Sequence, residues 1–256
     1  GVESSLIVVR GVDTDVSPFD AGSYASSGTY VTGLAAKNAA TELREKICAK
    51  AAQMWDVDAA DVVFDGQYVR LSDERAAREQ NRYLTLRDFA NLCVKNIAGG
   101  DALTSHASAC LPVSPPPFMA GIAEVEVDKA TGKVTVVDYA AAVDCGTVIN
   151  EALARGQAEG GIAQGIGHAL YEIVEHDERG RLRTGNFMSY KLPTRLDIGS
   201  IRVAFEPSYE PTGPFGAKSI GEVVINTPLA AVASAVAHAT GHQVRSLPIT
   251  PEKALL

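Results

Sequence analysis

The sequence predicts an α+β fold in two lobes, with mixed β-sheets and helices packed on them. Three observations predict it. Apolar residues recur at helical spacing over 33–55 and 86–97. Val and Glu alternate with period two over 123–127, and a second apolar run at 134–136 follows a K-A-T-G turn, the pattern of a half-buried antiparallel pair. Between these regions, 98–117 carries Gly99, Gly100, Pro112 and Pro115 to Pro117 without apolar periodicity, the composition of an extended linker. The expected division is a first lobe at 1–97, a linker at 98–117 and a second lobe at 118–256.

In order along the chain, S-L-I-V-V-R at 5–10 reads as a strand. It begins almost at residue 1, as in an internal piece of a longer chain or a subunit that completes another. Residues 11–30 are rich in Gly, Ser, Thr and Asp and read as loop. Leu34, Ala35, Ala39, Leu43, Ile47, Ala51 and Met54 share one face of a helix over 33–55. Two short strands, 62–64 and 68–71, flank Asp65-Gly66-Gln67 as a hairpin. In the second lobe, the strand at 134–136 continues through 140–143 to a turn at Asp144-Cys145-Gly146, and Asn150 caps a helix over 151–171. A strand pair, 172–176 with 181–183, a strand at 201–205 and a Gly/Pro loop at 207–216 follow. Pro228 is expected at the first position of a last helix, which ends near Gly241. The tail from 247 reads as irregular.

The composition excludes several functions. With 23 Lys and Arg against 31 Asp and Glu, the net charge is −8, which argues against a nucleic-acid surface. Hydrophobic residues make up 46%, too many for a disordered chain. No uninterrupted apolar run of about 18 residues occurs, so no membrane span is expected. Cys48, Cys93, Cys110 and Cys145 form no C-x-x-C pair, which disfavours a zinc or iron–sulfur site within the chain. They read as mostly core thiols of a reducing, cytoplasmic protein. His238 and His242 are four apart, but Gly241 ends the helix between them, so they make a poor metal pair.

Three segments are too small and polar for packing alone to explain. At 24–29, Tyr24, Ala25, Ser26, Ser27, Gly28 and Thr29 leave the backbone uncovered just before a helix start, where anions are favoured. A cradle for a phosphorylated, heteroatom-rich cofactor competes with a polar surface loop carrying a helix cap. At 156–167, five glycines interrupt a predicted helix at about 1 kcal/mol each relative to Ala. Close approach by a cofactor and close approach by another helix explain them equally well, and G-x-G-x-x-G spacing is absent. At 213–222, Glu222 lies between a Gly/Ser turn and Val223, Val224 and Ile225. A carboxylate partly desolvated by such neighbours suits a general base; the competing reading is a capping or pairing residue.

Taken in order, these segments resemble the molybdenum-cofactor-binding large subunit of the xanthine dehydrogenase/aldehyde oxidase family, the molybdenum hydroxylases. The residues that carry the resemblance are D-T-D-V-S-P-F-D-A-G-S-Y-A-S-S-G-T-Y-V-T-G (13–33), S-P-P-P-F (114–118), A-E-V-E-V-D-K-A-T-G-K-V (123–134), D-C-G-T-V-I-N (144–150), G-Q-A-E-G-G-I-A-Q-G-I-G (156–167), Y-K-L-P-T-R-L-D-I (190–198), G-P-F-G-A-K-S-I-G-E (213–222) and L-P-I-T-P-E-K (247–253). It covers essentially the whole chain, but only the C-terminal half of that subunit.

The resemblance implies oxidative hydroxylation of a purine-like N-heterocycle or an aldehyde, with Glu222 as the base that activates the oxygen nucleophile. It places Gln157 against the pterin. Tyr24, Ala25, Ser26 and Thr29 fall in the loop that holds the pterin phosphate or nucleotide, and Ser219 and Gly221 where the backbone approaches the cofactor. The metal is then held by the pterin dithiolene and by no side chain here. The implied cofactor is a molybdopterin, in its cytosine dinucleotide form, with 2Fe–2S and FAD groups on other domains or subunits. The implied partners are the N-terminal half of the subunit, those iron–sulfur and flavin domains, and a small-molecule substrate, with no nucleic acid and no membrane. Ser219 stands where many relatives have Gly, and Glu151 where many have Pro. The chain alone is expected not to turn over. The alternative reading is a catalytically silent scaffold or a cofactor- or partner-binding module of the same fold.

Overall fold

A computed structural model describes residues 1–11, 13–95, 102–110 and 113–255. The chain forms two units, Gly1–Gly22 with Thr32–Cys110, and Ser23–Val31 with Leu111–Leu256. The loop at 24–29 therefore counts with the second unit, not with the first lobe where chain order puts it. The expected linker falls partly on 98–101 and 111–112, outside the described residues.

In the first unit, helix α1 (Gly33–Trp55) follows the expected bounds. Its buried Ile47, Ala51 and Ala52 meet Val62 and Phe64 of β1 (Val62–Phe64) and Val69 of β2 (Tyr68–Leu71) in one core. Asp65 closes the hairpin by accepting from the N–H groups of Gln67 and Tyr68 at 3.0 and 2.8 Å. Two short elements have too few residues to show a period: α2 (Glu74–Glu79) and β3 (Tyr83–Thr85), which completes the antiparallel order β1-β2-β3. Thr85 caps α3 (Leu86–Val94) and accepts from the Asp88 N–H, while Phe89 and Cys93 fill the core. Of the expected helix to 97, residues 96 and 97 lie outside the described residues. The strand expected at 5–10 is instead a 3₁₀ turn, Ser4–Leu6, followed by extended chain. No described strand pairs with it, and Val8 and Val9 are exposed. β-branched composition alone does not make a strand without a ladder.

In the second unit, β4 (Phe118–Val127) pairs antiparallel with β5 (Val134–Asp144), and β6 (Ser200–Phe205) adds parallel to β5. Asn150 caps α4 (Glu151–Leu170), its side-chain oxygen accepting from the Leu153 N–H at 3.0 Å. Helix α5 (Val223–Thr240) packs on α4 and β4 and ends at Gly241, whose φ is +87°. Val136, Tyr139, Val143, Ile162, Ile166, Val224, Val232 and Val236 form the core.

Three expectations are corrected here. Helix α5 begins at Val223, five residues before Pro228, so the proline sits inside it. Its ring packs against α4 at Gly165, a contact that offsets part of the cost of the missing N–H. The strand pair at 172–183 shrinks to one bridge, His176 to Leu182, because Asp177 draws the N–H groups of Arg179 and Arg181 into a tight turn. The tail holds a short helix, α6 (Pro251–Leu255). Helix α5, with mean hydropathy 1.4 over 18 residues, is long and apolar enough to cross a membrane by length and composition, though Asn226, Thr227, Ser234 and His238 interrupt it. On the outward face of β4, Phe118 and Ile122 are 59% and 75% exposed. Cys93 and Cys145 are buried, Cys48 is half-buried and Cys110 is exposed, and all four thiols are free.

Candidate active site

The three small, polar segments meet within the second unit. Tyr24–Ser26 forms a 3₁₀ turn in which Ala25 and Ser26 take left-handed φ of +49° and +55°. Non-glycine residues hold this conformation only where the surroundings impose it, and it clusters at functional sites. The Ser26 hydroxyl donates to Glu222 Oε2 at 3.1 Å. A methyl group added at Gly221 would stand 2.9 Å from Ser26 Oγ and 3.8 Å from Gln157 Nε2. Ser26, Gln157, Gly221 and Glu222, drawn from three distant stretches of chain, therefore surround one point.

Each neighbouring element explains its residue. Ser27 Oγ donates to the Tyr24 carbonyl at 2.8 Å, and the Gly28 N–H donates to Ser23 Oγ at 3.1 Å, so the turn is closed by its own side chains. Buried Tyr30 ties it down through its hydroxyl, 2.5 Å from Thr212 Oγ1. Gln157 projects from the second turn of α4. Glu222 occupies the N-cap position of α5, yet its side chain caps nothing, and it joins no ion pair among the described residues. That removes the capping and pairing readings. The carboxylate is exposed in this chain, so the expected desolvation by its apolar neighbours is not met: Val224 turns into the core, and Glu222 turns out.

Tyr24, Ala25 and Thr29 are exposed beside Ser26, and Ser219 is half-buried two residues before Gly221. The polar side chains of Thr29, Gln157 and Ser219 make no hydrogen bond to another described residue. The five-glycine puzzle divides in three, with Gly167 admitting the Glu172 side chain, into which a methyl there would run. A methyl on Gly161 would lie 2.5 Å from Val224, and one on Gly165 would lie 2.8 Å from the Ile225 carbonyl and from Pro228, so these two admit α5. Gly156 and Gly160 face open space, with nothing within 4 Å of where a methyl would stand. Among the described residues no cluster of three or more His, Cys, Asp and Glu is placed to hold a metal ion.

This arrangement can accept a proton at a carboxylate and offer hydroxyls, an amide and bare backbone to a polar, flat ligand. The profile of the molybdopterin cofactor-binding domain family matches residues 1–199. The chain belongs to that family. It is 35% identical over 251 residues to the putative xanthine dehydrogenase molybdenum-binding subunit of Escherichia coli K12, covering 98% of this chain and 33% of that protein. It is 30% identical over 246 residues to the carbon monoxide dehydrogenase large chain of Hydrogenophaga pseudoflava, covering 93% and 30%. Among solved structures, the quinoline 2-oxidoreductase of Pseudomonas putida 86 superposes with a TM-score of 0.77 at 31% identity, covering 91% and 30%. This molybdopterin-binding chain thus spans about a third of the length of the relatives it matches, less than the half the sequence resemblance implied. The α+β expectation holds. The residues present also fit the cofactor: a gap at Gly221 that a single methyl would fill, left-handed backbone at Ala25 and Ser26, and unpartnered polar groups at Thr29, Gln157 and Ser219.

Sequence reasoning did not single out Lys218 and Asp144, which form an ion pair of 2.7 Å. The available signal was a lone charge within G-P-F-G-A-K-S-I-G, a run otherwise small or apolar.

Proposed function

We propose that this chain supplies the base and part of the pterin cradle of a molybdenum-dependent oxidoreductase that hydroxylates an N-heterocycle. The observation that carries the proposal is the meeting of Ser26, Gln157, Gly221 and Glu222 around one point. When bound, the molybdenum cofactor, in its cytosine dinucleotide form, supplies the redox chemistry. Tyr24, Ala25, Ser26 and Thr29 hold it through backbone amides and hydroxyls, Gln157 through its amide, and Ser219 and Gly221 through close backbone approach.

Glu222 accepts the proton that the reaction releases. Ser26 donates to Oε2 and fixes the carboxylate, leaving Oε1 without a described partner and able to take the proton. General-base action of this kind contributes about 10²–10⁴-fold in rate. Relatives named for xanthine and quinoline, both N-heterocycles, match over nine-tenths or more of this chain, against 54% for a sequence relative named an aldehyde oxidoreductase, which supports the N-heterocycle class. The chain's span of about a third of its relatives supports further partners: the remaining part of the molybdenum-binding subunit, and iron–sulfur and flavin groups on other domains or subunits. The isolated chain is accordingly inactive.

The test is Glu222→Gln in the complete enzyme. We expect kcat to fall by at least about 100-fold with molybdenum content unchanged. Turnover near the parent rate would establish the silent-scaffold reading instead.

A further inference from the structure

Lys218 is 9% exposed and carries a charge that the proposed chemistry does not use. Its ammonium donates to Asp144 Oδ2 at 2.7 Å and to the Pro116 carbonyl at 3.4 Å, and lies 5.3 Å from the centre of the Phe118 ring. Asp144 Oδ1 accepts from Ser208 Oγ at 2.5 Å and from the Gly146 N–H at 3.0 Å, so the carboxylate is fully engaged. The backbone repeats the link. The Lys218 N–H donates to the Cys145 carbonyl and the Thr147 N–H to the Gly216 carbonyl, each at 2.8 Å, around a Gly146–Ala217 bridge. Gly146, at φ +69°, allows this approach, because a methyl there would collide with the Gly216 carbonyl.

Residues 216–218 are thus clamped to 145–147, and only three residues separate the clamp from Glu222. On its other side Glu222 opens α5, whose Val224 is in the core. The segment bearing the carboxylate is held at both ends. A buried ion pair adds little net stability, because desolvating two charges offsets most of their attraction, whereas removing one partner strands the other. Its direction and reach are what a positioning device requires.

We propose that Lys218 is a positioning residue for Glu222, with Asp144 as its anchor. This rests on Glu222 being the base. The experiment compares Lys218→Met, Asp144→Asn and the double variant in the complete enzyme, reading kcat, KM and molybdenum per chain. It also reads amide hydrogen exchange at Thr147 and at position 218. Each single variant should lower kcat by about 10–100-fold at equal molybdenum content, with KM within threefold. The double variant should be no slower than the slower single, because the two act as one unit. Exchange at the clamp amides should rise at least tenfold, while that at Ala141 in β5 stays unchanged.

A Lys218→Met enzyme within threefold of the parent kcat, losses that multiply in the double variant, or unchanged clamp exchange would each overturn the proposal. Should Lys218→Met not fold, the isosteric Asp144→Asn decides by its own kcat and exchange. Glu222→Gln run alongside separates the two readings. Turnover that survives it removes the base, whereas turnover lost in it but kept in Lys218→Met removes only the positioning role.

Discussion

Tyr139 sits in the second unit's core with no exposure, and its hydroxyl has no hydrogen-bond partner among the described residues. Gly121 on β4 is glycine because any side chain there would collide with that hydroxyl. Burial pushes the phenol from its ordinary 10.0 up to about 12. A folded-state value above the unfolded one means stability is fully present below pH 10 and is lost as pH rises toward 12. An unsatisfied buried hydroxyl costs about 1–3 kcal/mol, so Tyr139→Phe should stabilise the chain by about 1 kcal/mol and flatten its alkaline decline. Urea titrations at pH 7 and pH 11 check this; a destabilised Phe variant would mean that the hydroxyl has a partner. At this scale the sequence is informative about kind and silent about contact. Glu222, Gln157 and Ser26 stand out as polar residues in small surroundings. That Ser26 touches Glu222 depends on a closure across 196 residues, and that Lys218 meets Asp144 on one across 74. No local pattern encodes either.

Helix α4 shows what an element's sequence reveals and hides. Its cap at Asn150 and its length were legible, because capping chemistry is local. Its glycines were ambiguous, because composition does not say which face meets α5. The structure turns that ambiguity into opposite signs for one substitution. Gly156→Ala adds a methyl into open space and should stabilise by about 0.5–1 kcal/mol through helix propensity. Gly165→Ala gains the same propensity but drives a methyl to 2.8 Å from a backbone carbonyl and Pro228. The resulting strain of about 1–3 kcal/mol exceeds that gain. Thermal melts of the two variants should move in opposite directions, and a shared direction would refute this assignment of faces. The start of α5 was misread for the same reason. Pro228 signals a helix start in isolation, and its packing on Gly165 is a contact across 63 residues that no local pattern reveals. The strand expected at 5–10 fails because a strand is a pairing, and pairing is not local.

At the scale of the whole molecule, chain order and spatial grouping diverge at one segment. Residues 23–31 interrupt the first unit in sequence and count with the second in space. The Gly/Pro composition of 98–117 is what suggests two lobes, but composition does not say with which lobe a nine-residue loop groups. Each unit has its own buried cluster, one around Phe89 and Val69, the other around Ile162 and Val232. Two cores of this kind should unfold in separable transitions. The chain contains a single tryptophan, Trp55, and it packs on the first cluster, so its fluorescence follows the first unit alone while circular dichroism follows both. Phe89→Ala, at about 3–5 kcal/mol, should lower the fluorescence midpoint and leave the remaining dichroism transition in place. Ile162→Ala, at about 2–5 kcal/mol, should do the reverse. A single transition, moved equally by both variants and coincident in both probes, would show one cooperative core. The segment carrying Ser26 would then draw its conformation from the entire chain and not from the unit that holds Glu222.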